Sequence, residues 1–130
     1  MIQGIGTDIL EIERIKNIYS KYGTMFCKKI LSEQEYKNFS SHFSSLSDKH
    51  KYSYLAKRFS AKESIVKALG VGFGTFCSFK DIEILNDGFG KPNAIISENV
   101  KKKLSIDLAK IHLSISDERY YVISYAVVEK

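Results

Sequence analysis

Residues 55–70 have the sequence LAKRFSAKESIVKALG, and we expect the rest of the chain to pack around this segment. On a helix, with about 100° of rotation per residue, its large apolar side chains gather on one side. They are Leu55, Phe59, Ile65, Val66 and Leu69. Lys62 projects from the middle of that side, Glu63 lies at its edge, and Gly70 fits the left-handed position that ends a helix. The pattern predicts a long central helix over residues 49–69.

Two charged residues, Lys62 and Glu63, lie on or beside this apolar side. Burying a lone ammonium or carboxylate is costly unless the group is paired or bound to a counter-ion. Lys62 and Glu63 therefore indicate a partner or ligand for those charges. Two simpler alternatives stay open: Lys62 can extend to solvent along its aliphatic stem, and Glu63 can form an i,i+4 ion pair with Lys67 on an exposed surface.

The composition indicates an ordinary globular protein. The 130 residues suffice for one domain over residues 1–130, and 44% are hydrophobic and 27% charged. We find no apolar run of about 20 residues that would span a bilayer and no signal peptide. Cys27 and Cys77 are isolated, which favours neither a disulfide framework nor a thiolate metal site. We expect a cytoplasmic protein, and the net charge of +5 favours an acidic partner, whether nucleic acid, phosphorylated ligand or acidic protein.

The amino-terminal segment, residues 2–8, alternates like a strand. Gly4, Gly6 and Asp8 share one face, and the two glycines leave that face open to another backbone or a ligand. Asp8 either presents its carboxylate to a ligand or N-caps the helix predicted over residues 11–22.

The remaining elements complete an α+β fold, with a small antiparallel sheet packed against the long central helix. They are, in chain order, a helix opened by a Ser32/Glu35 capping box and ending at residue 39, a surface loop or loosely ordered helix extension over residues 40–48, strands over residues 78–85 and 93–96, a helix capped by Ser97 and ending at residue 104, and a hairpin of residues 111–116 and 120–128. In that hairpin His112 begins a polar face, which is more typical of a structural histidine than of a ligand-binding one.

The candidate chemistry is that of a divalent cation with a phosphorylated ligand. Asp8 at a strand end and Glu63 on a helix, with lysine and arginine nearby, suit Mg²⁺ and phosphate oxygens. The glycines at 70, 72 and 74 follow a helix and lack the Gly-Lys-Ser/Thr ending, so they do not form a Walker loop. The sequence contains neither a nucleophile elbow nor Cys/His spacing for zinc.

The motifs resemble those of a known family. Residues 4–15, GIGTDILEIERI, resemble the amino-terminal motif of the holo-acyl-carrier-protein synthases, the small 4′-phosphopantetheinyl transferases, and residues 58–68, RFSAKESIVKA, resemble their second motif. The 70–74 loop, Gly90-Lys91-Pro92 and residues 112–116, HLSIS, recur in order, so the resemblance covers nearly the whole chain. It implies the fold of that family and transfer of the phosphopantetheine arm of coenzyme A to a serine of apo acyl carrier protein. Adenosine 3′,5′-bisphosphate would be the other product, and fatty acid biosynthesis the pathway.

The resemblance also implies roles for individual residues. Asp8 and Glu63 would hold Mg²⁺ against the pyrophosphate of coenzyme A, and Lys67 would offset charge on the leaving group. Lys62 would be a second phosphate clamp or part of the proton path. Glu63 or a water held by the metal would accept the serine proton; these alternatives stay open.

Coenzyme A would be contacted by residues from both motifs and from later loops. Arg58 and His112 match positions that contact its nucleotide end, including the 3′-phosphate. The full implied set is Arg58, Lys62, Lys67, Gly70, Gly72, Gly74, Lys91, Pro92 and His112.

The implied macromolecular partners are the acidic carrier protein and further copies of the chain, with no nucleic acid or membrane. Arg14 matches a docking arginine, whereas Lys21 and Lys28 stand near positions where the family often has further arginines. Lysine lacks the bidentate fork of arginine, so docking is expected to be weaker or shifted. The family's synthases of this size are homotrimers with sites at subunit interfaces, and the glycine face and apolar hairpin strands are compatible with such an interface.

Two other functions are considered. A non-catalytic basic module for a nucleotide or RNA would use Tyr120, Tyr121 and Tyr125 for stacking, but it leaves Asp8 and Glu63 unexplained. A superfamily transferase for carrier domains of peptide or polyketide synthases is the second. Those enzymes tend to be twice as long, so the chain length favours the single-copy type.

Overall fold

The computed structural model describes residues 1–43 and 47–130, in which helices and strands follow one another as an α+β protein. The elements are β1 (Ile2–Glu11), α1 (Ile12–Tyr22), α2 (Thr24–Ile30), α3 (Glu33–Phe43), α4 (Asp48–Leu69), a 3₁₀ turn (Phe79–Asp81), β2 (Ile82–Asn86), β3 (Pro92–Ile96), α5 (Glu98–Leu104), β4 (Lys110–Asp117) and β5 (Tyr121–Glu129). None of the helices in these ranges combines the length and hydropathy that a bilayer crossing requires.

The strands form two antiparallel sheets. One has the order β1-β5-β4 and the other pairs β2 with β3. The predicted carboxy-terminal hairpin is confirmed as β4 and β5, and the predicted α+β class with a small antiparallel sheet is confirmed too. On β4, His112 is exposed while Ile111 and Leu113 are partly buried, as their alternation predicts.

The central helix α4 lies directly on β1, because glycines leave room for its backbone. A Cβ atom on Gly4 would lie 1.9 Å from the carbonyl oxygen of Ala68, and one on Gly6 would lie 2.0 Å from that of Ser64. The open face that the sequence predicts is therefore filled by the helix. At these two glycines the approaching group is another backbone, one of the two predicted alternatives, so the glycines are available neither to a ligand nor to a subunit interface.

The core lies on both flanks of α4, in two apolar clusters that this helix joins. Ile65 belongs to one cluster with Ile84 of β2, and Leu55 belongs to the other with Ile15 of α1 and Ile30 of α2; all five side chains are fully buried. The helix is therefore the element against which both sheets and the other helices are positioned.

Several predicted boundaries change at the amino-terminal half. β1 continues to Glu11, which is itself the N-cap of α1, so Asp8 lies within the sheet opposite Ser124 and does not cap a helix. The helix α2 is not predicted from the sequence. The capping box is confirmed, but α3 continues past residue 39 to Phe43.

The segment over residues 40–48, predicted as a surface loop or a helix extension, begins as an extension of α3. Residues 40–43 are helical and α4 begins at Asp48, while residues 44–46 lie outside the described residues. The strand predicted from residue 78 begins at Ile82, because Asp81 accepts a hydrogen bond from the backbone of Ser78 at 2.8 Å and closes the 3₁₀ turn. The remaining predicted cap, Ser97, accepts from the backbone N–H of Val100.

Candidate active site

The crossing of β1 and α4 brings Asp8 and Lys67 together from 59 residues apart in the sequence. Lys67 Nζ donates to Asp8 Oδ1 at 3.2 Å and to the carbonyl oxygen of Thr7 at 3.0 Å. The Asp8 side chain is 14% exposed and that of Lys67 is 51% exposed. Lys67 therefore pairs with Asp8 on the neighbouring strand, and not with Glu63 as the simple helical alternative supposed.

Glu63 lies one turn before Lys67 on α4 and is close enough to Asp8 for the charge of Asp8 to influence its pKa. Burial raises the pKa of Glu63 above its usual value, and the negative charge of Asp8 raises it further, whereas Lys67 and Arg14 act in the opposite direction. We call Asp8 and Glu63 the carboxylate pair. Because the two negative charges repel each other in a partly buried setting, a cation bound near both would relieve that repulsion.

The carboxylate pair fits a divalent cation that shares its ligands with a bound phosphate. Mg²⁺ is commonly held by one or two protein carboxylates, several waters and substrate phosphate oxygens. Within residues 1–43 and 47–130, no group of three or more histidine, cysteine, aspartate or glutamate side chains could hold a metal ion. The two carboxylates would supply hard oxygen ligands, and water and substrate would have to supply the others.

Lys62 lies in the interior, apart from the carboxylate pair. Its Nζ donates to Glu35 Oε1 at 2.6 Å and to the carbonyl oxygens of Ile30 at 2.7 Å and Phe79 at 3.0 Å. The side chain is fully buried, and burial lowers the pKa of Lys62 while Glu35 opposes that shift. All three protons of the Lys62 ammonium are hydrogen-bonded and the side chain is fully buried, so Lys62 neither extends to solvent nor reaches the carboxylate pair. The counter-charge that its burial requires is Glu35.

Glu35 was recognised from the sequence only as a capping residue. Its Oε1 accepts from the Ser32 N–H at 2.7 Å, as the capping box requires. Its Oε2 accepts from the Ile84 N–H at 3.0 Å, so the same carboxylate also joins α3 to β2. No local spacing relates positions 35 and 62, which is why the pairing of these residues was missed.

Arg58 belongs to the same interior group as Glu35. Its Nε is 3.7 Å from Glu35 Oε2, and its guanidinium lies over the ring of Tyr54 at 4.8 Å. Its Nη2 donates to Asn86 Oδ1 at 3.4 Å. Of the buried side-chain nitrogen and oxygen atoms in the described part of the chain, Arg58 Nε alone lacks a hydrogen-bond partner. The structure does not bring Arg58 into contact with the carboxylate pair of its own chain.

Three predicted coenzyme-binding residues share a cationic cleft. Lys91, Pro92 and His112 line a cleft of about 470 Å³ between β3 and β4, together with Lys101 and Lys110. In it, His112 Nε2 lies 2.7 Å from Glu129 Oε2, an interaction that lowers the pKa of Glu129. Its lysines and histidine make this cleft suitable for an anionic ligand.

The glycine loop after α4 is open and is tied to the core by an aromatic ring. Gly70 adopts the predicted left-handed conformation, with φ 76° and ψ 19°. Cβ atoms on the loop glycines would meet nothing within 4 Å; these are Gly70, Gly72 and Gly74. Phe73 stacks on Phe79 with ring centroids 3.8 Å apart, which fixes the loop beside α4.

A second cleft, of about 670 Å³ and largely apolar, adjoins Glu63. Its walls come from α1, α2, α4, the glycine loop and the 3₁₀ turn; they include Ile18, Tyr22, Met25, Phe26, Phe59, Phe73 and Phe79. The part of this cleft that α2 forms was not predicted, because the seven residues TMFCKKI are too few to show a clear helical period. Glu63 therefore lies between a polar ion-pair site and an apolar wall.

The predicted docking residues are exposed on consecutive helices. Arg14 and Lys21 lie on α1 and Lys28 lies on α2. Arg14 is close enough to Glu63 to lower its pKa, whereas the Lys21 and Lys28 ammonium groups lie over tyrosine rings at 5.3 Å and 5.5 Å. Of these three predicted docking residues, Arg14 is therefore the one shown to lie near the carboxylate pair.

Comparisons with known proteins agree with this arrangement. A family model described as the 4′-phosphopantetheinyl transferase superfamily matches residues 4–126. A holo-[acyl-carrier-protein] synthase of Ruthia magnifica subsp. Calyptogena magnifica is 39% identical over 130 residues, covering 99% of this chain and 98% of that protein.

Solved structures give the same result. The crystal structure of holo-[acyl-carrier-protein] synthase from Neisseria meningitidis has a TM-score of 0.87 and 37% identity, and the match covers 100% of each chain. The synthase from Bacillus anthracis, determined in complex with CoA (3′,5′-ADP), has a TM-score of 0.79 and 36% identity over 98% of this chain and 96% of that one. This chain therefore belongs to the 4′-phosphopantetheinyl transferase superfamily and, within it, to the holo-[acyl-carrier-protein] synthases, a family of enzymes.

Proposed function

We propose that this enzyme transfers the 4′-phosphopantetheine arm of coenzyme A to a serine of apo acyl carrier protein, in a Mg²⁺-dependent reaction that serves fatty acid biosynthesis in the cytoplasm. The observation that carries the proposal is the meeting of Asp8, Glu63 and Lys67 where β1 crosses α4. The full-length similarity to synthases, one of them in complex with CoA (3′,5′-ADP), supports the choice of substrate.

In the proposed reaction the serine oxygen attacks the phosphorus that carries the pantetheine arm. The bond from that phosphorus to the oxygen bridging the nucleotide phosphate breaks, and the electron pair leaves with adenosine 3′,5′-bisphosphate. Asp8 and Glu63 would hold Mg²⁺, which supplies Lewis-acid polarisation of the diphosphate when bound. Lys67 donates to a diphosphate oxygen and offsets the charge of the leaving group. The serine proton passes to Glu63 or to a water at the site.

We further propose a homotrimer in which neighbouring subunits complete the coenzyme site. The sheet face opposite α4 exposes a large apolar group; its members include Ile5 (58% exposed), Ile9 (68%), Ile123 (48%) and Tyr125 (45%). Exposed apolar patches of this kind are typical of interfaces. His112 lies on the same side of the sheet, so a subunit seated there would meet it.

A shared site also accounts for the separation of the predicted binding residues. Arg58 and the His112 cleft do not contact the carboxylate pair of their own chain, and a neighbouring subunit can supply them to the nucleotide end of coenzyme A. Of the three tyrosines considered for base stacking, Tyr121 and Tyr125 lie on the apolar face with Ile123, whereas Tyr120 precedes β5. This placement favours subunit packing over RNA binding.

The test is the mass of the carrier protein after incubation with coenzyme A, Mg²⁺ and the enzyme. We expect a gain of one phosphopantetheine arm with the wild type and with Asp107→Ala, an exposed carboxylate in the segment before β4. Asp8→Ala and Glu63→Ala should each lose this activity. Full activity in both of these variants would overturn the assignment of the carboxylate pair.

A further inference from the structure

We propose that Lys67 is a resident counter-ion of Asp8 that competes with the divalent cation, so that the cation binds weakly until coenzyme A draws Lys67 away. This inference rests on the proposed function and adds to it an order of binding, in which coenzyme A precedes tight binding of the cation. It assigns to Lys67 a role in the free enzyme, before any charge develops in the reaction.

The contacts of Lys67 place its charge where the cation must bind. Its ammonium bonds Asp8 Oδ1 at 3.2 Å and is held by a second bond, at 3.0 Å, to the carbonyl oxygen of Thr7 on the same strand. Because the Asp8 side chain is only 14% exposed, few directions of approach to its oxygens remain. A cation that binds this carboxylate must displace the ammonium or accept its repulsion.

Lys67 is also free to leave. Its side chain is 51% exposed, and its flexible stem holds a compact charge with rotatable donors. By contrast Lys62, one turn earlier, is fully buried with its three protons bonded. Of these two lysines on α4, only Lys67 can exchange a carboxylate for a phosphate oxygen without opening the core.

A diphosphate changes both sides of this competition. Its oxygens offer Lys67 a charge-assisted alternative to Asp8 and offer the cation further ligands. Coenzyme A should therefore strengthen cation binding, and by thermodynamic linkage the cation should strengthen coenzyme binding by the same factor. Part of that coupling comes from Lys67 leaving Asp8, and this part disappears when Lys67 is removed.

The test measures Mn²⁺ binding by electron paramagnetic resonance of the free ion, with no carrier protein and no turnover. Three proteins are compared without coenzyme A: the wild type, Lys67→Met and Lys57→Met. Lys57 is the matched control, because it is also a partly exposed lysine of α4 (36%) but pairs with Asp117 at 3.8 Å. Lys67→Gln serves as a second variant.

We expect Lys67→Met and Lys67→Gln to bind Mn²⁺ about tenfold more tightly than the wild type, the size expected for one unit charge at this distance in a partly exposed site. Lys57→Met should match the wild type. Adding coenzyme A should tighten Mn²⁺ binding more in the wild type than in the Lys67 variants.

Unchanged or weaker Mn²⁺ binding in both Lys67 variants, with tight binding in the presence of coenzyme A, would overturn the counter-ion role and leave the proposed function standing. Failure of all the proteins to bind Mn²⁺ even with coenzyme A would overturn the metal assignment in the proposed function, and this inference with it.

Discussion

Lys62 and Lys67 of α4 each form an ion pair with a carboxylate, but the two pairs differ in their exposure to solvent. Lys62 and Glu35 are both fully buried, at 2.6 Å, whereas Lys67 and Asp8 lie at the edge of the fold, at 3.2 Å. The buried pair is surrounded by backbone carbonyl and N–H groups that satisfy both partners. The half-exposed pair keeps access to solvent. Both lysines are paired with a carboxylate, so pairing alone does not show which of them a ligand could reach. Their exposure does.

The largest expected effect comes from breaking the buried pair. Lys62→Met leaves the Glu35 carboxylate without its closest counter-ion in the core, where removal of one partner costs about 3–5 kcal/mol. Urea unfolding should show a loss of this size in the free energy of unfolding. Lys67→Met, on the same helix, should change it by less than about 0.5 kcal/mol. Equal losses in the two variants would contradict the division between them.

The next effect concerns catalysis by the half-exposed pair. Lys67→Met removes the ammonium group that we propose as a donor to the diphosphate, and loss of one such donor typically lowers turnover about 100-fold or more. The measurement is the rate of holo-carrier formation at saturating coenzyme A and Mg²⁺, with Lys57→Met as control. A turnover within twofold of the wild type would remove Lys67 from the proposed reaction.

A smaller effect is expected at the docking surface. Arg14→Glu reverses a charge beside the carboxylate pair, so the KM for the acidic carrier should rise about tenfold while the KM for coenzyme A stays within about twofold. Lys102→Glu, an equal reversal on exposed α5, should change neither. If Arg14→Glu raised both KM values alike, the effect would belong to the coenzyme site.

The smallest effect follows from the raised pKa of Glu63. A carboxyl group whose pKa is higher in the folded state than in the unfolded state costs stability once pH exceeds the unfolded value. With divalent cations chelated, Glu63→Gln should therefore stabilise the protein at pH 7 by about 0.5 kcal/mol, small because the side chain is only partly buried. Unfolding curves at pH 7 and pH 3 test this, since the gain should vanish at pH 3. A gain of equal size at both pH values would exclude this cause.

The sequence was sufficient for those features that have a local signal. Alternation predicted the hairpin of β4 and β5, and the apolar side of residues 55–70 predicted α4. The glycines at 4 and 6 indicated a close approach, but their spacing could not show that the approaching group is the backbone of α4. The position of Asp8 within a longer strand also depended on pairing with β5, which lies more than a hundred residues later.

The site was predicted in part, for a related reason. Asp8 and Glu63 were named from the placement of their carboxylates, and Lys67 from the family resemblance. In the structure Lys67 pairs with Asp8, and both charges influence the pKa of Glu63. Lys62 carries the same charge at an equally suggestive position, but its partner Glu35 comes from another helix without any sequence signal. Only burial and hydrogen bonds distinguish Lys67, which is half-exposed beside Asp8, from Lys62, which is fully buried beside Glu35.

The most direct test of the central claim is a double-mutant cycle on Asp8 and Glu63, read as the rate of holo-carrier formation. If both carboxylates act through one cation, removal of either abolishes the same interaction, so Asp8→Ala/Glu63→Ala should be no slower than the slower single variant. Independent roles would make the two losses multiply, and that result would contradict a shared centre.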